Sequence, residues 1–113
     1  MIATEFINNV RKFYDTNKTD AEILAFMDAV ISVHWRDVAN IPITEILIST
    51  MQSELPVKKD CIELVKIGVI ALLAKSENKA VLANNYSHEY NKLLDDIRAR
   101  NDKHDKFPIV KEA

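Results

Sequence analysis

The alternation of apolar and polar positions at the start of the chain predicts a short amphipathic helix over Thr4–Tyr14. Its apolar side chains recur at intervals of three and four residues, which is the spacing of one helical face. The members of this face are Phe6, Ile7, Val10, Phe13 and Tyr14. The polar run from Asp15 to Lys18 then indicates a connection.

The second helix has the clearest start signal in the chain. Thr19 and Glu22 have the spacing of a capping box, in which the Thr hydroxyl and the Glu carboxylate satisfy backbone amides at the start of a helix. One continuous apolar face follows at helical spacing: Ile23, Phe26, Met27, Val30, Ile31 and His34. We expect this helix to end around Val38.

Residues 40–56 have a mixed pattern, and we expect an irregular segment there. Pro42 excludes the middle of a helix, because it lacks an amide donor and restricts the residue before it. The residues after it are rich in β-branched side chains, yet Ile43, Leu47 and Met51 are spaced as on a helix. Both a short strand and a short helix fit; the helix is favoured because a single strand would have no obvious partner.

The third helix is predicted to be apolar on all its faces. Pro56 suits its first turn, and nearly every residue from Cys61 to Ala74 is apolar. A helix of this kind is buried on all sides, which is hard to arrange in a small monomer. We therefore expect part of it to face another subunit. The candidates for this subunit interface are Ile67, Ile70 and Leu73.

The fourth helix is predicted to start at Glu77, behind a Ser76 cap, and to end near Asn101. Its apolar stripe comprises Leu82, Tyr86, Tyr90, Leu93, Leu94 and Ile97. Its opposite, charged face comprises Glu89, Lys92, Asp96 and Arg100. After Asn101 the chain becomes charged and aperiodic, and Pro108 lies in the short apolar run Phe107–Val110, so an extended tail is expected.

Together these patterns predict an all-α fold: a small antiparallel bundle of about four helices, with an irregular 40–56 segment and an extended C-terminal tail. Residues 1–101 would form the helical domain and residues 102–113 the tail. The composition agrees, because 113 residues suffice for one domain, and one Gly with three Pro is too few for the tight turns of a sheet.

Charge and targeting signals narrow the function classes. The net charge of −2 creates no general attraction to nucleic acid or anionic lipid. The first residues lack the basic and apolar regions of a signal peptide. The apolar stretch Val69–Ala74 is far shorter than the roughly 20 residues of a membrane span. We expect a protein made in a cytosol, without membrane contact.

No group of residues is typical of catalysis, so no enzyme activity, metal or cofactor is expected. His88-Glu89 opens like a zinc-protease motif, but the fifth residue is Lys92 instead of His. Cys61 is interpreted as a buried structural thiol instead of a nucleophile, since no histidine is near it in the sequence and no cationic surround is evident. Gly68, the single glycine, lies within a helix, where we expect it to permit close helix–helix approach.

Three stretches give the chain a resemblance to the head–tail adaptor (connector) proteins of tailed bacteriophages. The opening helix, Phe6–Phe13, is followed by the helix start Thr19–Ile23, whose T-D-A-E-I run is similar to that of many adaptors. The apolar third helix, Leu64–Ala74, is the second stretch. The third is Tyr90–Asn101, which has a Y-x-x-L-L-x-x-x-R-x-R type of run. The resemblance spans most of the chain.

This resemblance implies a structural virion protein of the head–tail neck, assembled in the host cytoplasm. Such proteins form a ring of about twelve copies beneath the portal, extend the DNA channel and dock the tail. The implied partners are the portal protein, a tail or neck protein and neighbouring copies, while DNA passes through without specific binding. Adaptor tails often lie along the portal. The corresponding residues here are Phe107, Pro108, Ile109 and Val110.

Two other interpretations stay open. Bacteriocin immunity proteins are also small, acidic, four-helix cytosolic proteins with C-terminal tails. A helical regulatory module, such as an antitoxin or an inhibitor of a host enzyme, would have the same general features. An adaptor should bind a purified portal ring, whereas an immunity protein should protect sensitive cells from a bacteriocin peptide.

Overall fold

The computed structural model describes residues 1–33, 54–55, 57 and 61–112, with side chains as far as Arg100. These residues form four helices: α1 Ala3–Phe13, α2 Asp20–Val33, α3 Ile62–Ser76 and α4 Ala80–Glu112. The predicted all-α helical bundle is confirmed. Most of the 40–56 segment lies outside the described residues, as does the predicted end of the second helix around Val38.

Helix α3 lies at the centre of the bundle, because nearly all its residues are apolar. It packs against α1, α2 and α4. Its pairing with α4 is antiparallel: Gly68 lies against Tyr90, while Cys61 at the start of α3 packs in one cluster with Ile97. The prediction that this helix is buried on nearly all sides is confirmed.

Apolar side chains of α1, α2 and α3 fill the main core. Its large members with less than 2% exposure include Phe6, Ile7, Ile23, Met27, Ile31, Val65, Ile70 and Leu73. Burying one such side chain contributes about 1.5–3 kcal/mol before the cost of ordering it. Phe13, by contrast, is 65% exposed, so its predicted place on the buried face is wrong. It ends α1, and its ring centroid lies 4.0 Å from the Lys66 ammonium.

The start of α2 has the predicted capping box. The Thr19 amide donates to Glu22 Oε1 at 3.0 Å, and the Glu22 amide donates to Thr19 Oγ1 at 3.2 Å. Both amides would otherwise have no partner within the helix. The reciprocal pair therefore fixes where the helix begins, at Asp20.

Helix α3 starts at Ile62, later than the first turn predicted at Pro56. Glu54 forms an isolated antiparallel bridge with Ile2, and Val57 lies in a bend. The backbone at Glu54 pairs with the start of the chain and is therefore extended. The apolar pattern marked the helix correctly, but not this long-range pairing.

The turn between α3 and α4 is a Schellman motif. Asn78 has a φ of 60°, and the Lys79 amide donates to the Ala74 carbonyl at 2.9 Å. Asn tolerates this left-handed conformation better than most residues. Ser76 was predicted to cap α4 but is instead the last residue of α3, where its hydroxyl donates to the Leu73 carbonyl at 2.8 Å.

Helix α4 has the predicted faces but is longer than expected. Leu94 and Ile97 are buried, and the charged face is exposed. The backbone is helical to Glu112, so residues 102–112, expected as an extended tail, continue the helix. The charged residues of this stretch are compatible with a helix that faces solvent. Pro108 removes one backbone hydrogen bond, and a proline inside a helix either kinks the helix or ends it.

Candidate functional site

A groove lies between α2, α3 and α4, and none of the described residues that line it is charged. Its volume is about 400 Å³. The residues that line this uncharged groove are Ala29, Val30, Val33, Gly68, Ala71, Leu72, Ser87, Tyr90 and Asn91. Charged residues make up 28% of the chain, so a lining with none differs from its general surface. Centres of protein–protein contacts are depleted of charge in the same way, and the groove therefore suits an apolar partner surface.

Gly68 sets the depth of the uncharged groove. A Cβ atom at this position would lie 2.8 Å from Tyr90 Cε1 and 2.9 Å from Val30 Cγ1. Both distances are shorter than van der Waals contact, so the three helices approach one another more closely here than any larger residue allows. The sequence-based expectation of close helix–helix approach at Gly68 is confirmed.

The three residues predicted as a subunit interface are buried inside the chain. Ile67 is 5% exposed, Ile70 1% and Leu73 0%. The prediction assumed that a chain of this size could not cover an apolar helix on all sides. Since the chain itself covers these three side chains, their apolarity does not require a second subunit.

The residues predicted to contact a portal lie near the end of α4. The start of α3 packs level with Leu94 and Ile97 of α4. Beyond this point α4 continues from residue 98 to residue 112, which at about 1.5 Å per residue adds roughly 22 Å of helix past the start of α3. We call residues 98–112 the α4 extension. Its members Phe107, Pro108, Ile109 and Val110 are described here by their backbone.

A second candidate site, the Glu77 cluster, consists of Tyr14, Thr16, Glu77 and Lys79. The Tyr14 hydroxyl donates to Glu77 Oε1 at 2.9 Å, and the Thr16 hydroxyl donates to Glu77 Oε2 at 2.5 Å. The Lys79 ammonium lies 3.4 Å from Glu77 Oε1 and 4.8 Å from the centroid of the Tyr14 ring. These contacts join the connection between α1 and α2 to the turn between α3 and α4.

The Glu77 cluster shifts the pKa values of three of its members. Burial raises the pKa of the Glu77 carboxyl, but hydrogen bonds from its three neighbours outweigh burial and lower this pKa below 4.5. Burial and the hydrogen bond to Glu77 raise the pKa of Tyr14 above 10.0. Contacts with Tyr14 and Glu77 raise the pKa of Lys79 above 10.5. At neutral pH the cluster therefore holds an ionised carboxylate, a neutral phenol and a charged ammonium.

Arg11 stabilises the conformation of the connection between α1 and α2. Its guanidinium donates to the Thr16 carbonyl at 3.3 Å and to the Lys18 carbonyl at 2.9 Å. It also donates to Asp20 Oδ1 at 2.7 Å. Sequence reasoning missed both Arg11 and the Glu77 cluster. The bonds from Tyr14 and Thr16 to Glu77 span 63 and 61 residues, and no local pattern marks such pairs.

The structure describes two of the titratable residues that the sequence singles out, Cys61 and His88. Cys61 is 1% exposed and packs with Leu64, Leu94 and Ile97, which confirms its interpretation as a buried thiol. His88 is exposed on α4, and His34 lies outside the described residues. Among the residues that the structure describes, no group of three His, Cys, Asp or Glu is placed to hold a metal ion.

Two general searches complete the description of the chain. None of the helices within the described ranges is long and apolar enough to cross a membrane. Comparison of the chain with family models, with curated proteins and with solved structures finds no match. The function of the chain is therefore inferred from its surfaces, above all the uncharged groove and the α4 extension.

Proposed function

We propose that the chain is a structural virion protein of the head–tail adaptor type, whose copies form a ring of about twelve beneath the portal, extend the DNA channel and dock the tail. Its place is the neck of the virion, after assembly in the host cytoplasm. The sequence resemblance motivates the proposal. The observation that supports it best is the α4 extension, because it gives a small bundle a long element with which to reach a second protein.

The α4 extension suits a docking element for two reasons. It continues for roughly 22 Å past the start of α3, so a partner on this side of the bundle can reach it without displacing α3. Its sequence also changes from charged to apolar, ending in the run Phe107–Val110. Apolar residues behind a charged stretch favour a partner that buries them. In the proposal this partner is the portal.

The uncharged groove suits the contact between neighbouring copies. In a closed ring each copy offers one surface to the copy before it and a different surface to the copy after it. The groove is one such surface, because it is concave and its described lining residues are mostly apolar and all uncharged. It replaces Ile67, Ile70 and Leu73 as the expected place of contact with a neighbour.

Portal binding is the direct test of the α4 extension. The full chain should bind a purified portal ring from the phage genome that encodes it, and a chain ending at Lys106 should bind at least about tenfold more weakly, a loss of about 1.4 kcal/mol. A chain ending at Val110 is the matched control and should bind as the full chain does. Equal binding by all three chains would contradict the assigned role of Phe107–Val110.

Ring formation is the test of the uncharged groove. Ala29 lines the groove and is exposed, so Ala29→Glu adds a charge at its rim without disturbing the core. Ala25 is also exposed on α2, one turn earlier and outside the groove lining, and Ala25→Glu is the control. We expect the first substitution to prevent ring assembly on the portal and the second to leave it intact. Protection of cells from a bacteriocin, without any portal binding, would favour an immunity protein instead.

A further inference from the structure

Two connections meet at one end of the bundle. One is the segment from Tyr14 to Thr19 between α1 and α2, and the other is the turn from Glu77 to Lys79 between α3 and α4. The Glu77 carboxylate accepts from both Tyr14 and Thr16, one hydroxyl on each oxygen. Its side chain is only 20% exposed, so water competes weakly for these bonds. Glu77 therefore ties the first half of the bundle to the second.

The charged groups around Glu77 fall into two sets. Lys79, from the same turn, lies against the Glu77 carboxylate itself. Lys18 and Glu22 line a polar pocket beside Glu77, but they pair with each other at 3.8 Å, and Glu22 also accepts from the Thr19 amide. The carboxylate of Glu77 thus faces two hydroxyl donors and one ammonium, while the neighbouring carboxylate has its own partners.

The connection between α1 and α2 is held from within by Arg11, which donates to its Thr16 and Lys18 carbonyls. Arg11 belongs to α1 and its third acceptor, Asp20, to α2. These bonds give the connection its shape but do not reach the α3–α4 turn. Among the described residues, the hydroxyls of Tyr14 and Thr16 both donate across to Glu77, and the Lys79 ammonium of the same turn also lies 4.8 Å from the centroid of the Tyr14 ring.

We propose that Glu77 is an acid-sensitive clasp: its carboxylate holds the α1–α2 connection on the α3–α4 turn, and its protonation releases this end of the bundle while the α3–α4 hairpin stays folded. A protonated carboxyl loses the attraction to Lys79, and one of its oxygens becomes a donor that can no longer accept as before. The main core includes the Tyr14 ring, which is 5% exposed, but most of its members are apolar residues of α1, α2 and α3, so the core packing remains when the hydrogen bonds to Glu77 are lost.

The pKa of Glu77 gives the direction of the switch. Burial alone would raise this pKa, but the three hydrogen-bonding neighbours lower it below 4.5. A carboxyl whose pKa is lowered by folding adds stability at pH values above its unfolded pKa, and this stability is lost as the pH falls through its folded pKa. The clasp is therefore closed at neutral pH and opens only in acid, because the pKa of Glu77 lies below the ordinary value of a glutamate carboxyl.

A pH titration of the full chain by nuclear magnetic resonance tests this proposal. We expect the Glu77 carboxyl carbon to titrate with a midpoint below 4.5, and the amides of Thr16 and Lys18 to shift with the same midpoint. The amide of Val69, in the centre of α3, should not follow it. A Glu77 midpoint at or above 4.5 would overturn the proposal, and so would Thr16 and Lys18 amide signals that do not shift with the Glu77 midpoint.

Two variants separate the clasp from general acid effects. Glu77→Gln should abolish the shared midpoint and give the Thr16 and Lys18 amides at pH 7 the positions that the original chain shows in acid. Glu89→Gln, an exposed change on α4, should leave the midpoint in place. If Glu77→Gln does not fold, Tyr14→Phe removes one bond and should raise the Glu77 midpoint; an unchanged midpoint there would count against the clasp. Portal binding plays no part in these readouts.

Discussion

Replacing Gly68 with alanine is the sharpest test of the packing around α3. The new Cβ atom would lie 2.8 Å from Tyr90 Cε1 and 2.9 Å from Val30 Cγ1. Alanine gains about 1 kcal/mol over glycine in a helix, whereas a methyl group forced into a packed interior costs about 1–3 kcal/mol. Val30 is 6% exposed and β-branched, so it has little freedom to move away. We expect overpacking to win, with a net loss of about 1 kcal/mol.

Urea unfolding followed by circular dichroism measures this loss. With an m-value of about 2 kcal/mol per molar urea, a loss of about 1 kcal/mol lowers the midpoint by about 0.5 M. Ala25→Gly, at an exposed site in α2, measures the intrinsic helix preference in the same fold. In a Tyr90→Ala background, Gly68→Ala should cost less, because one clash has been removed. If Gly68→Ala instead raises the free energy of unfolding by about 1 kcal/mol, the close approach of the three helices is refuted.

Further predictions concern the ends of the helices and the Glu77 cluster. Asn78→Ala should lower the free energy of unfolding by about 1 kcal/mol in urea titrations, because the φ of this residue is left-handed. Asn78→Gly should be neutral or stabilising, and equal effects of the two substitutions would contradict the left-handed conformation of the turn. Thr19→Ala should lower the free energy of unfolding by about 1 kcal/mol, because it removes the side-chain cap of α2. An unchanged urea midpoint would contradict the capping box. Tyr14→Phe should lower the free energy of unfolding at pH 7. The difference between the two chains should shrink as the pH rises above 10.0, because folding raises the pKa of the Tyr14 hydroxyl and the stability that this adds is lost as the hydroxyl ionises. Unfolding curves at pH 7 and pH 11 check this, and a constant difference would refute it.

The helices themselves were predictable because their signals are local. The capping box at Thr19 and Glu22 marked the start of α2, and the periodic apolar residues marked both ends of α1 to within one residue, whereas the start of α3 and the end of α4 were predicted too early. Gly68 was assigned correctly for a similar reason. A single glycine inside an otherwise apolar helix has few explanations besides the close approach of a neighbouring helix.

Two of the missed features depend on contacts between distant parts of the chain. The bridge pairs Ile2 with Glu54, and the Glu77 cluster joins residues more than 60 positions apart. The subunit interface at Ile67 was predicted from apolarity alone, and apolarity cannot distinguish burial within a chain from burial between chains. The α3–α4 turn was misplaced because Asn78, rather than Ser76, carries its signal.

The mass of the protein in solution, alone and mixed with a purified portal ring, tests the proposed function most directly. If the proposal holds, analytical ultracentrifugation of the full chain with the portal encoded in the same genome should show a complex that carries about twelve copies per portal ring. The same measurement with a chain ending at Lys106 should show free portal and free protein. A full chain that sediments as a monomer beside an unchanged portal, even at high concentrations of both proteins, would contradict the adaptor proposal.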